Sequence, residues 1–198
     1  YKVLDIEALR LWIEQNPEWI SISVFCIAFL ESFAGIGLLI PGVILLAMVA
    51  GIANMVNVSS LEIIIWCYLG ACIADILSFL IGHYFRNKVT SIWPFSKYPE
   101  SLFKAKSLVK TYGIYAILIG RFIGPIRPVL PIIAGTLSMP KNKFIAIDLL
   151  SGIPWSCFYI LPPYYLAASI TNDFLGWPYL LGVIFLILTL SVVRKYFQ

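Results

Sequence analysis

The sequence predicts an all-α integral membrane protein: an inverted repeat with two facing re-entrant helical hairpins, about three transmembrane helices and an N-terminal interfacial helix. Three observations predict it. The 198 residues are 61% hydrophobic and only 12% charged, a composition outside the range of soluble domains. Several uncharged runs approach or exceed the ~20 residues that a helix needs to cross ~30 Å of hydrocarbon, and the ten-residue alternation of outer-membrane barrels is absent. Glycine and proline interrupt two of these runs at corresponding places, each time near charged residues in an otherwise apolar run.

Residues 3–15, "VLDIEALRLWIEQ", place Leu4, Ala8, Leu9, Trp12 and Ile13 on one helical face with Asp5, Glu7 and Glu14 turned away, and Pro17 stops the pattern. An amphipathic interfacial helix is expected over 1–19, with an acidic polar face. No basic segment followed by a short apolar core opens the chain, so no removable signal peptide is expected there.

From Ile20 to Val58 the only charge is Glu31, and "GIGLLIPG" at 35–42 interrupts the run. The run is too long for one helix and has no polar loop to divide two. Folding it back at Gly35, Gly37, Pro41 and Gly42 gives a re-entrant hairpin, a backbone tolerated at membrane depth where protein or a water-filled cavity covers it. Two ordinary spans with a kinked joint are the alternative.

Residues 61–84 form a span with Asp75 near its middle and His83 at its end; Gly70, Ala74, Ser78 and Gly82 recur every four residues, a stripe that admits a close neighbour. That stripe serves either a tight seam beside a moving element or plain helix packing. The loop 86–110 holds six basic residues against Glu100 and is assigned to the cytoplasm. Lys141 and Lys143, then Arg194 and Lys195, mark two further cytoplasmic points, and residues 169–176, with Asp173 and no base, an external one.

Residues 114–139 carry Arg121 and Arg127 in an otherwise uncharged segment broken by Pro125, Pro128 and Pro131 and closed by Gly135. Basic residues flank both ends, so a second hairpin is expected, entering from the side opposite the first. A span over 144–168 follows, starting near Asp148 and containing Pro154, and 177–193 gives a C-terminal transmembrane helix. Glu31 precedes Pro41 by ten residues, as Arg121 precedes Pro131. Such pairs of oppositely inserted, broken segments mark the inverted repeats of secondary transporters.

Charges at membrane depth cost at least ~2.5–3.5 kcal/mol each and are functional by default. Arg121 and Arg127 suit a phosphate, because a guanidinium donates paired hydrogen bonds and stays charged. Glu31 and Asp75 change protonation and are the proton-coupling candidates; alternatively their pairs with arginine merely fasten the hairpins. Asp148 and Glu62, at span starts, read as helix-capping or first-turn charges. His83 reads as an interfacial residue rather than a ligand or proton relay, and Trp155 as core packing, with contact to a hairpin or a lipid chain as the alternatives. Cys26, Cys67, Cys72 and Cys157 lie in apolar runs without metal or disulfide spacing, so no metal site is expected.

In order and spacing, "FLESFAGIGLLIPG", "GACIADILSFLIGHYFR", "GRFIGPIRPVLPIIAGTLSMPKNKF" and "SGIPW" resemble the DedA family of membrane proteins over roughly residues 20–168, the arginine-proline block being the most discriminating. The VTT-domain lipid scramblases are similar more distantly. The resemblance implies facing hairpins, no cofactor, a multi-pass bacterial inner-membrane location, and movement of a lipid with a phosphate headgroup, undecaprenyl phosphate or a phospholipid, driven in several members by protons. It places the family's embedded glutamate on Glu31, its glycine-aspartate motif on Asp75 and its arginine pair on Arg121 and Arg127. One position departs: many members have an acid directly after the proline-glycine of the first hairpin, where this chain has Val43. Some relatives also continue beyond the last span. The expected function is a proton-coupled lipid transporter of the flippase type, not an enzyme, with lipid and protons as partners and no nucleic acid. An energy-independent scramblase is the alternative, and a homodimer is left open.

Overall fold

Two apolar runs interrupted by glycine and proline fold as helix pairs in the computed structural model of the chain, which describes residues 15–86 and 99–171. Helix α1 spans Glu18–Ser32 and opens directly after Pro17, with Glu18 in its first turn where the helix dipole favours an acid. It ends where Gly35 takes φ 94°, a backbone open to glycine at little cost. A 3-10 turn at Ile36–Leu38 leads to Pro41, which precedes α2, Gly42–Met55. Ile20, Val24 and Ala28 of α1 share one buried cluster with Leu46, Ala50 and Ala53 of α2, so the two helices pack as a hairpin.

Helix α3 spans Ser60–Phe85 and is long and apolar enough to cross a bilayer. The sequence stretch expected to be a cytoplasmic loop is in part helical: α4, Pro99–Tyr112, turns Leu102, Ala105 and Val109 inward and Lys106 and Lys110 outward. Its spacing of apolar residues is helical, and only the lysine count had suggested a loop. The second interrupted run gives α5, Tyr115–Gly120, a 3-10 helix at Gly124–Val129 and α6, Leu130–Thr136. Its ordered turn lies between Gly120 and Leu130. Pro131 and Gly135, expected to help form that turn, lie inside α6 instead: Pro131 occupies the first helical turn, where a missing N–H leaves no gap, and Gly135 is a packing residue.

Helix α7 runs from Lys141 to Thr171, starting earlier and ending later than the expected span, and keeps Pro154, Pro162 and Pro163 within it. The interfacial helix expected at the N-terminus falls largely, and the C-terminal transmembrane helix wholly, outside the described residues. Among the described residues there is no strand.

α3 and α7 run antiparallel. The Tyr164 hydroxyl donates to the Val58 carbonyl at one end (2.9 Å), and Lys141 lies over the Tyr84 ring at the other. The hairpins approach this pair from opposite ends. Ser21, at the base of the first, donates to Glu62 at the start of α3 (2.6 Å), whereas α6 packs against the end of α3. Their turns meet beside the middle of α3, where a Cβ on Gly37 would stand 2.9 Å from Pro128 Cβ.

The small-residue stripe on α3 makes both approaches possible. A Cβ on Gly70 would lie 2.4 Å from the Phe25 carbonyl oxygen of α1, and one on Gly82 would lie 2.0 Å from that of Ile132 on α6. Between them Ser78 accepts from the Ala34 N–H (2.9 Å) and donates to the Ala74 carbonyl (2.7 Å), fixing the first turn against α3. One residue along, Leu61, Ile65, Leu69, Ile73 and Leu77 form an exposed stripe with the same period of four. Small and polar groups lie inside and large apolar ones outside, the pattern of a helix whose solvent is lipid.

Gly82→Ala is expected to destabilise the fold by about 1–3 kcal/mol, because backbone must shift to admit the methyl group. Gly51→Ala is the control. Its Cβ would sit in ordinary contact 3.6 Å from Ala167 Cβ, and alanine favours the helix by up to ~1 kcal/mol, so its thermal midpoint in detergent micelles should be unchanged or higher.

Candidate functional site

Where the turns meet, the buried charged side chains among the described residues are Glu31, Asp75, Arg121, Arg127 and Asp148. Arg127 lies in the 3-10 helix of the second hairpin and crosses to the end of α1. Its Nη1 donates to Glu31 Oε1 (2.7 Å) and its Nη2 to Ser32 Oγ (2.6 Å). The flat face of the guanidinium rests on the fully buried Trp155 of α7, 3.7 Å from the ring centroid. Glu31 itself lies over the first turn of α2: a Cβ on Gly42 would meet its carboxylate at 2.6 Å. Glycine there makes room, and the helix N-terminus suits the negative charge.

Arg121 directly follows α5 and reaches the scaffold helices instead. Its Nη2 donates to both Asp75 Oδ2 and Asp148 Oδ1, the latter at 2.6 Å, and its Nη1 donates to the Asp148 carbonyl at 3.0 Å. Gly152 clears its path, since a Cβ there would stand 2.6 Å from Nη1. Asp148 is therefore not the capping residue expected from the sequence. It lies two turns into α7, fully buried and ion-paired. Glu62 does sit in the first turn of α3, accepting from Ser21.

All four charged residues singled out in the sequence converge here, in the pairs Arg127–Glu31 and Arg121–Asp75. Asp148, Ser32 and Gly152 were missed as site residues, whereas Trp155, read as core packing, is in the core and carries Arg127 as well. The signal on α7 was periodicity: Asp148, Ser151, Gly152 and Trp155 are spaced i, i+3, i+4, i+7, one face of that helix. That face combines an acid, two small residues and an aromatic, which fits two guanidiniums better than it fits lipid. His83 stacks on Phe79 and meets Tyr84 edge-on, apart from the cluster.

Comparison with known proteins gives the family. The VTT domain family matches residues 40–165, from the first turn to near the end of α7. An uncharacterized membrane protein of Buchnera aphidicola subsp. Schizaphis graminum (strain Sg) is 31% identical over 192 residues, covering 94% of this chain and 76% of the relative. Inner membrane protein YabI of Escherichia coli (strain K12) is 32% identical over 163 residues, covering 82% of this chain and 64% of YabI. The chain belongs to the DedA family of VTT-domain membrane proteins. Protein DedA of Escherichia coli (strain K12) is 24% identical over 172 residues, covering 82% of this chain and 75% of DedA. This chain thus spans less than two thirds of YabI. No solved structure gives a significant match. Like inner membrane protein YabI, this DedA-family chain is a protein of the bacterial inner membrane.

The DedA-family cluster is held by charges that need each other. Arg127→Met is expected to cost about 3–5 kcal/mol by leaving Glu31 buried without its cation. The double variant Arg127→Met/Glu31→Leu should recover most of that loss, and a double-mutant cycle of unfolding in detergent micelles measures the coupling.

Proposed function

We propose that this DedA-family protein is a lipid transporter of the flippase type, moving a lipid with a phosphate headgroup across the inner membrane with the help of protons. The observation that supports it is the pair of buried guanidiniums at the junction of two hairpins that approach from opposite ends. In a bilayer such hairpins would dip in from opposite faces and turn at mid-depth, the arrangement in which inverted-repeat transporters form a substrate site. Undecaprenyl phosphate and common phospholipids both carry the headgroup chemistry that two guanidiniums recognise.

In this state carboxylates occupy both arginines, in the positions that phosphate oxygens would take. Carboxylate and phosphate present similar oxygen pairs to a guanidinium fork, so a headgroup can exchange for a side chain at Arg121 or Arg127. The carboxylate so released from its cation remains out of water, where it favours the protonated form. Substrate exchange at the arginines therefore calls for proton uptake at Glu31 or Asp75, which couples headgroup movement to the proton gradient. Ligand-dependent bias between inward and outward exposure follows from the different contacts made in each state. The cluster consists of carboxylates and guanidiniums, with His83 elsewhere, and this supports transport over hydrolysis.

The test is headgroup-resolved lipid movement in proteoliposomes, comparing undecaprenyl phosphate with common phospholipids, with and without a proton gradient. Selective, gradient-dependent movement is expected; rapid, gradient-independent movement of many lipids would make the protein a scramblase. Arg121→Lys and Arg127→Lys keep the charge and lose the fork. Each should slow movement roughly ten- to hundredfold, the effect of losing one charge-assisted hydrogen bond worth about 1.5–3 kcal/mol, while the protein stays folded.

A further inference from the structure

Two guanidiniums face three carboxylates in the buried cluster, so full ionisation would leave one negative charge without a partner. We propose that Asp75 and Asp148 together form a one-proton site on Arg121, with Asp148 as a titrating group of the protein alongside Asp75. The role of that site in a transport cycle rests on the reading above; the site itself does not.

The geometry locates the excess charge. Arg127 serves one carboxylate, Glu31, and a hydroxyl. Arg121 serves two carboxylates, and both take the same nitrogen, Nη2. Two oxygens bonded to one donor lie within about 5–6 Å of each other, twice a hydrogen-bond length. Carboxylates this close in a site away from water do not both ionise.

The remaining oxygens point the same way. Asp75 Oδ1 and Asp148 Oδ2 are both buried and find no donor in the protein, as is true of Glu31 Oε2, but only the two aspartates share one donor nitrogen. Two ionised carboxylates can only accept, whereas a proton on either one supplies the missing O–H between them. The titratable and charged groups around the pair are Cys72 and Tyr68 on α3, Arg121 and Arg127 from the turn, and Glu31 of α1 facing Asp75. Of these only the arginines are cations, and Arg127 is engaged by Glu31.

The proton count has a consequence for substrate. When a phosphate oxygen replaces Asp148 on Arg121, Asp148 keeps the shared proton, and the headgroup brings a new negative charge. Asp75 or Glu31 then accepts one further proton for each headgroup charge, so lipid anion and proton enter the cluster together. No bond is made or broken beyond proton transfer from water.

Infrared spectroscopy of the purified protein in nanodiscs, without added substrate, tests the site directly. A protonated-carboxyl carbonyl band is expected at neutral pH, shifting when aspartate is isotope-labelled at its side-chain carboxyl carbon and vanishing in Asp148→Asn. Absence of the band, failure of the label to shift it, or its persistence in Asp148→Asn would overturn the proposal. If Asp148→Asn does not fold, the labelled wild-type protein decides alone. Lipid movement does not enter the measurement. A labelled band in a protein that moves no lipid would sink the transporter reading and leave the site standing, and transport without the band would do the reverse.

Discussion

A guanidinium stays charged under any condition the protein meets, so a chain that buries two of them must bring acids to them. Arg121 and Arg127 lie six positions apart in one turn, yet their partners come from three other helices: Glu31 and Ser32 from α1, Asp75 from α3, Asp148 from α7. The ion pairs cannot form until every one of those helices is in place. Sequence separations of 96, 46 and 27 residues between the paired groups make the cluster a long-range constraint on the whole core. The turn is consequently the most demanding piece of the fold.

Apolar packing makes that convergence affordable in space. α3 supplies a stripe of glycine, alanine and serine along which α1 settles near one end and α6 near the other, with backbone against backbone at Gly70 and Gly82. In lipid the gain comes from close contact and from hydrogen bonds such as Ala34 N–H to Ser78, since apolar side chains lose nothing by facing hydrocarbon. Gly42 and Gly152 extend the same device to the charges themselves, leaving room for Glu31 and for Arg121.

Much of this was legible in the sequence, because hydrocarbon makes charge rare and therefore informative. Glu31, Asp75, Arg121 and Arg127 stand out of apolar runs, and Gly35 and Pro41 mark a turn that polar loops do not. Asp148 was obscured by position: only a few residues from Lys141 and Lys143, it read as belonging to the water-facing end of a span. The length of α7 settles that, as its start at Lys141 places Asp148 two turns inside. Trp155 looked like any buried aromatic, since nothing in one sequence distinguishes a ring that packs on leucine from one that carries a guanidinium. Pro131 and Gly135 misled in the other direction, because a proline in a first turn and a glycine against a neighbouring backbone both belong to helices. α4 hid behind its lysines although Leu102, Ala105 and Val109 kept helical spacing.

The two hairpins are alike in outline and opposite in charge. The second carries both cations and the first contributes a single acid, so the likeness in outline does not extend to their electrostatics. Were the two turns to separate, the second would expose a guanidinium to the gap and the first a carboxylate, so one wall would be electropositive and the other electronegative. An anion entering that gap would be held by one wall alone, the one formed by the turn that carries the arginines.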